Sequence, residues 1–181
     1  MAKKSRSKSK FSFLGGLVAL VLGVAALALF VFLPMVKNVI ADGSLFGEKI
    51  KAVAYYSGFG MIFGGTITPV YEGSHSGSST LPAISDAGVN AMALIVFIIS
   101  VVAVIGLCST ILLKKNLQKP VALLSSALLV VAGIMMFMVK GSAAEVIEIN
   151  AESLSLGLGA ILGGIVSILA GLVGCASNLL K

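Results

Sequence analysis

Four stretches of this chain run without a single charged residue for at least the length of a membrane-crossing helix: Phe11 to Val36, Val89 to Leu113, Pro120 to Val139 and Leu154 to Leu180. About 20 predominantly apolar residues cover the roughly 30 Å hydrocarbon core of a bilayer. Inside it only a helix or a closed barrel pairs all of its backbone groups. Four continuous apolar runs predict an all-α membrane protein, a four-transmembrane-helix antiparallel bundle. Only 11% of the 181 residues are charged, against roughly 25% in ordinary soluble domains.

The predicted layout follows from these runs. Residues 1–10 form a basic arm, 11–36 the first span, 37–88 a long loop, and 89–113 the second span. A turn at 114–119, the third span at 120–139, a short loop at 140–153 and the fourth span at 154–180 complete it. Basic residues near span ends are retained on the cytoplasmic side. With the N-terminus inside, that side holds Lys3, Lys4, Arg6, Lys8, Lys10, Lys114, Lys115, Lys119 and Lys181 and no acid. The outer segments hold Lys37, Lys49, Lys51 and Lys140 with all seven acids. The chain therefore reads as a multi-pass protein of the plasma membrane with both termini cytoplasmic. A cleaved signal peptide ending near Ala41 is the rival for its start. The 23-residue run from Phe11 to Leu33 exceeds the roughly 7 to 15 of a signal core.

The arm has nothing to bury and is expected to be disordered. Its positives Lys3, Lys4, Arg6, Lys8 and Lys10 suit contact with anionic lipids, at about 1 kcal/mol per charge. No nucleic-acid partner is expected.

Small residues mark where the helices are expected to touch. In a bilayer close approach at small-xxx-small rows and the packing it permits drive helix association. The fourth span carries Ser155, Gly159, Gly163, Ser167, Gly171 and Cys175 at a constant spacing of four, and the first carries Gly15, Ala19 and Gly23. Contact of the first helix with the fourth is expected. Four residues advance a helix by about 400°, so a strict row of fours drifts by about 40° per step. Its middle should meet one helix and its ends others.

The outer segment 38–88 contains 20 uncharged residues from Ala52 to Tyr71. A fifth span there would place Lys114, Lys115 and Lys119 outside, against the charge rule. Alternation of Val53, Tyr55, Phe59, Met61 and Phe63, broken by glycines, reads as short strands or an interfacial segment. The segment is expected to be a partly ordered cap; the other readings are a partner-binding surface, for which Tyr55, Tyr56, Phe59, Met61 and Phe63 are the candidates, and a re-entrant pore loop enclosed by other subunits.

The chemistry-bearing residue types are sparse. No ionisable side chain lies within the four spans, whereas coupled carriers place such groups at their sites. There is no Cys-x-x-Cys and no nucleotide loop or serine elbow. His75 stands alone, and Glu145, Glu148 and Glu152 lack calcium-loop spacing. Catalytic, cofactor and metal sites are therefore not expected.

Both ends inside, a long first outer loop and a short second one resemble the claudin-like tetraspan layout. Claudins carry a tryptophan and a cysteine pair in that loop; this chain has no Trp, and no Cys between Lys37 and Gly88. The Gly-Phe-Gly-Met-Ile-Phe-Gly-Gly run at 58–65 is similar to small four-span membrane proteins of Gram-positive-type bacteria and mollicutes. That likeness implies no activity. The residues leave three readings. The first is a non-enzymatic structural or assembly element, a homo-oligomer or partner of another membrane protein. The second is an oligomeric channel or facilitator lined by Ser100, Ser109, Thr110, Ser125 and Ser126. The third is an accessory subunit of a membrane complex.

Overall fold

In the computed structural model, residues 2–45, 48–67, 70–72, 84–110, 112–113, 115–147 and 152–179 are described. Helix α1 spans Ala2–Phe32. The basic arm, expected to lack structure, continues the apolar helix down to Ala2, and the alanine, lysines and arginine there are all good helix formers. The other end falls short of Val36. The Leu33 amide still reaches the Leu29 carbonyl at 3.1 Å, but Pro34 has no N–H to donate and disfavours helical geometry in the residue before it. Pro34 instead opens a strand, where an initial proline is tolerated.

That strand is β1, Pro34–Leu45, and it returns antiparallel as β2, Glu48–Ser57. The short helix α2, Gly58–Phe63, follows directly. The Ser57 hydroxyl caps it by accepting from the Gly60 amide at 3.1 Å. Gly64 closes it at φ 77°, a left-handed conformation that glycine takes without strain. Strands β3 (Gly65–Ile67), β4 (Val70–Glu72) and β5 (Ile84–Ala87) complete the loop.

Three more helices follow: α3, Ala91–Ser109, α4, Lys115–Ile147, and α5, Leu158–Leu179. Between α4 and α5 lies β6, Leu154–Leu156. Four helices, over Leu14–Phe32, Ala91–Ser109, Leu117–Ile147 and Leu158–Leu179, are long and apolar enough to cross a membrane. The multi-pass reading therefore stands, while the fold is mostly helical with sheet rather than all-α.

One sheet has the order β4-β2-β1-β6, and a second pairs β3 with β5. The fourth span was expected to be helical from Leu154. Instead Val36, Lys37 and Asn38 of β1 pair with Leu156, Ser155 and Leu154. Two leucines flanking a serine present a two-residue period that β1 satisfies. A Cβ on Gly157 would strike the Pro34 carbonyl, so the turn from β6 into α5 depends on a residue without a side chain.

The other helix limits also shift. Asn90, expected inside the second span, precedes α3 as its cap. Most of the expected turn at 114–119 is helical, with Pro120 the sixth residue of α4. At its far end α4 takes in Lys140, Gly141 and Glu145 from the expected loop at 140–153. His75 and Glu148 lie outside the described residues.

The chain divides into two compact units, one of residues 1–28, 95–136 and 162–181, the other of 29–94 and 137–161. The first has a core of Ala19, Ala103, Leu107, Leu129 and Ala170. In the second, Phe30, Met35, Val36, Tyr56, Ile62 and Leu154 are among the largest buried side chains.

Candidate functional site

Within the first unit, α4 and α5 meet along a seam of small residues. The Ser167 hydroxyl donates to the Leu129 carbonyl at 2.8 Å. A Cβ on Gly171 would sit 2.5 Å from the Ser126 carbonyl oxygen and 3.0 Å from the Val130 nitrogen. One on Gly133 would sit 2.7 Å from the Gly164 oxygen. These are backbone-to-backbone approaches that side chains forbid, the packing on which membrane helices rely. Residue numbers rise on α4 as they fall on α5, so the pair is antiparallel.

The α5 residues on this seam are Gly164, Ser167, Gly171 and Gly174, spaced three, four and three. The expected row was spaced strictly by four. Alternating threes and fours stay close to the 3.5-residue period that keeps one face toward a partner, whereas a row of fours rotates away. Ser167 and Gly171 belong to both sets. Gly163 is buried, Cys175 is half-buried, and Ser155 lies on β6 rather than on a helix. Gly164 and Gly174 were missed, although the three-four-three signal was legible.

The first helix supplies the expected contact with the last. A Cβ on Gly15 would strike the Ser177 side chain, and one on Gly174 would lie 3.4 Å from the Ala19 Cβ. Gly23 turns elsewhere, toward Leu129 on α4 and Val104 on α3 at 3.3 and 3.4 Å. In the second unit, a Cβ on Gly159 would fall 2.8 Å from the Leu33 carbonyl oxygen. All of these small-residue contacts are made within one chain. Branched aliphatics face outward, among them Val21, Ile98, Val102, Ile105, Leu124 and Leu172.

Three of the five hydroxyl groups expected along a pore bond carbonyls three or four residues back in the chain. Ser109 donates to the Gly106 carbonyl at 2.8 Å, Thr110 to Leu107 at 2.6 Å and Ser126 to Ala122 at 2.7 Å. Ser125 packs against Gly106. Ser100 is buried, and its hydroxyl has no partner among the described residues.

The recognition residues divide by exposure. Phe59 and Phe63 are 55% and 57% exposed, with ring centroids 4.9 Å apart. Tyr55 is half-buried. Tyr56 and Met61, expected on the same surface, are buried at 2% and 3% exposure. The reason is strand and helix geometry. Val36 pairs with Tyr56 and Asn38 with Ala54, which places Tyr56 on the inward face, and Met61 lies between Phe59 and Phe63 on a helix whose outer side those rings occupy. Lys3, Lys4, Arg6, Lys8 and Lys10 all fall within α1.

Tyr56 and Met61 share a small cavity with Gly88, Asn90, Ala143, Val146 and Ile147. Asn90 organises it. Its side-chain oxygen accepts from the Ala93 amide at 2.9 Å, capping α3, and from the Ser142 hydroxyl of α4 at 3.1 Å. Its own amide donates to the Met61 carbonyl at 2.8 Å. The Tyr56 hydroxyl and the Asn90 side-chain nitrogen have no hydrogen-bond partner among the described residues. Burial pushes the Tyr56 phenol above its ordinary value, because the low-dielectric surroundings penalise the phenolate.

Among the described residues no three His, Cys, Asp or Glu side chains gather to hold a metal ion. Cys108 and Cys175 are free thiols. No protein-family model matches the chain, and no curated protein matches it.

Proposed function

We propose that the chain is a non-enzymatic structural or assembly element of the cell membrane, with both termini cytoplasmic and Phe59 and Phe63 on its outer contact surface. One observation carries this reading. The helices turn glycine and serine toward one another and branched aliphatics outward, so the inner faces are already occupied and the outer ones suit hydrocarbon. Close approach of backbones holds the bundle together. Homo-oligomers or complexes with another membrane protein then form through the outer aromatics rather than through the glycine seams. Anionic lipids on the cytoplasmic side meet the positives of the N-terminal arm.

A channel draws no support from the serine and threonine hydroxyls, since Ser109, Thr110 and Ser126 spend theirs on carbonyls three or four residues back in the chain. The test is purification in mild detergent, with oligomeric mass and stoichiometric co-purifying protein as readouts. Combined Phe59→Ala and Phe63→Ala substitution is expected to abolish association without lowering the melting temperature. A monomer with no partner, or selective ion flux from proteoliposomes, overturns the proposal. Labelling of Lys115 or Lys119 from outside intact cells overturns the orientation.

A further inference from the structure

Tyr56 and Asn90, which line one cavity, carry two buried polar groups that no described residue satisfies, and these have complementary needs. The Asn90 amide orientation is fixed by its own hydrogen bonds. Its oxygen must face the Ala93 N–H, because the reverse orientation would set two donors against each other. The nitrogen is therefore the unpartnered end, a donor on a residue 2% exposed. Tyr56, also 2% exposed, ends in a hydroxyl that can donate or accept and does neither. Both residues line one cavity whose other walls are Met61, Gly88, Ala143, Val146 and Ile147.

We infer that this cavity is a binding site for one water molecule, which accepts from the Asn90 side-chain nitrogen and bonds the Tyr56 hydroxyl. The space suits a single such molecule, and a buried water needs two or more polar partners in a site of that size. A dry cavity is disfavoured because empty cavities are apolar, and two orphaned polar groups would keep their desolvation penalty. An anion is disfavoured as well: two neutral donors among apolar walls do not replace its hydration shell. The raised phenol of Tyr56 fits the same arrangement, since a neutral hydroxyl can still donate where a phenolate cannot.

The water would tie β2, through Tyr56, to the start of α3, through Asn90. Asn90 is in turn bound to Met61 by its backbone and to Ser142 of α4 by its side chain. The inference concerns a site in the strand-bearing unit and holds whether or not the assembly role is correct.

The test uses the full chain, isotope-labelled in detergent micelles, and reads nuclear Overhauser transfer from water to the Asn90 side-chain amide. A cross-peak with the sign of a slowly tumbling bound water is expected. It should persist in Ser142→Ala, which removes the neighbouring hydroxyl as a relay, and be lost in Tyr56→Phe. Absence of the peak in the unsubstituted protein, its loss in Ser142→Ala, its retention in Tyr56→Phe, or transfer from detergent protons instead overturns the inference. Ala143→Val supplies a second readout. Filling an occupied site expels the water and lowers the melting temperature, whereas a rise in melting temperature would mark a dry cavity and overturn the inference equally.

Discussion

Ser167 on α5 donates its hydroxyl to the backbone carbonyl of Leu129 on α4 at 2.8 Å, both groups buried. The hydroxyls of Ser109, Ser126 and Ser177 return to their own helices, whereas this one joins two elements 38 residues apart in sequence. It sits between the Gly133–Gly164 approach and the packing of Gly171 on Ser126 and Val130. The hydrogen bond is possible because those glycines let the backbones close. Ser167→Ala is expected to destabilise the protein by about 0.6 kcal/mol, the mean for interhelical hydrogen bonds in membranes. Ser109→Ala, which removes a bond within one helix, should cost less, and denaturant titrations in mixed micelles compare the two directly.

The glycine seams respond very differently from glycines that face nothing. Gly171→Leu drives a side chain into the Ser126 carbonyl and Val130, and Gly133→Leu into the Gly164 carbonyl and Ile168. Both should abolish the monodisperse folded state rather than convert an oligomer into a stable monomer. A Cβ on Gly16 meets nothing within 4 Å, so Gly16→Ala is expected to stabilise α1 by up to about 1 kcal/mol through helix propensity alone. Size-exclusion profiles and melting temperatures of the three variants distinguish intrachain packing from association between copies. A folded monomer from Gly171→Leu would contradict this account.

How much of this was legible in the sequence depended on the physics behind each signal. The four apolar runs were long and free of charge, so their helices could be placed from Phe11, Val89, Pro120 and Leu154 with errors only at the ends. Those errors have a common cause. A helix and a strand both accept an apolar residue, and what separated Met35 and Leu154 from the helices beside them was pairing between β1 and β6 across more than a hundred residues, which local periodicity does not contain. The seam on α5 was half legible. Ser167 and Gly171 were found, but a row of fours was followed where Gly164 and Gly174 complete a three-four-three pattern. Recognition residues were chosen by composition. Composition could not tell that Tyr56 points inward on β2 while Phe59, three residues on, points out from α2. Asn90 was missed altogether because a polar residue beside an apolar run reads as an ordinary helix start.

Asn90 performs two separable tasks, and substitutions divide them. Asn90→Ala removes the acceptor of both the Ala93 amide and the Ser142 hydroxyl. Loss of a helix cap alone costs about 1 kcal/mol, and leaving the half-buried Ser142 hydroxyl without its acceptor adds to that. Asn90→Ser keeps a side-chain oxygen that can cap α3 and adds no charge to the buried site, so its loss should be smaller. Chemical denaturation of the two variants gives the comparison, and equal losses would show that capping contributes nothing.

Tyr56 makes the stability of the strand-bearing unit depend on alkaline pH. Its phenol is raised above the ordinary 10.0 by burial, so the folded chain holds this proton more tightly than the unfolded one. Stability then falls with pH wherever the unfolded chain has already released a proton that the folded chain retains. The contribution is complete below about pH 10, the ordinary phenol value, and is lost as pH climbs from there through the raised value of the folded state. Melting temperatures of the unsubstituted protein should therefore decline more steeply above pH 10 than those of Tyr56→Phe, which has no phenol to ionise. Absorbance near 295 nm gives an independent reading. The part of this titration that Tyr56→Phe lacks should come at higher pH in the folded protein than in the denatured one. Parallel decline of the two melting curves, or the same position of that step folded and denatured, would show that the Tyr56 phenol is open to solvent after all.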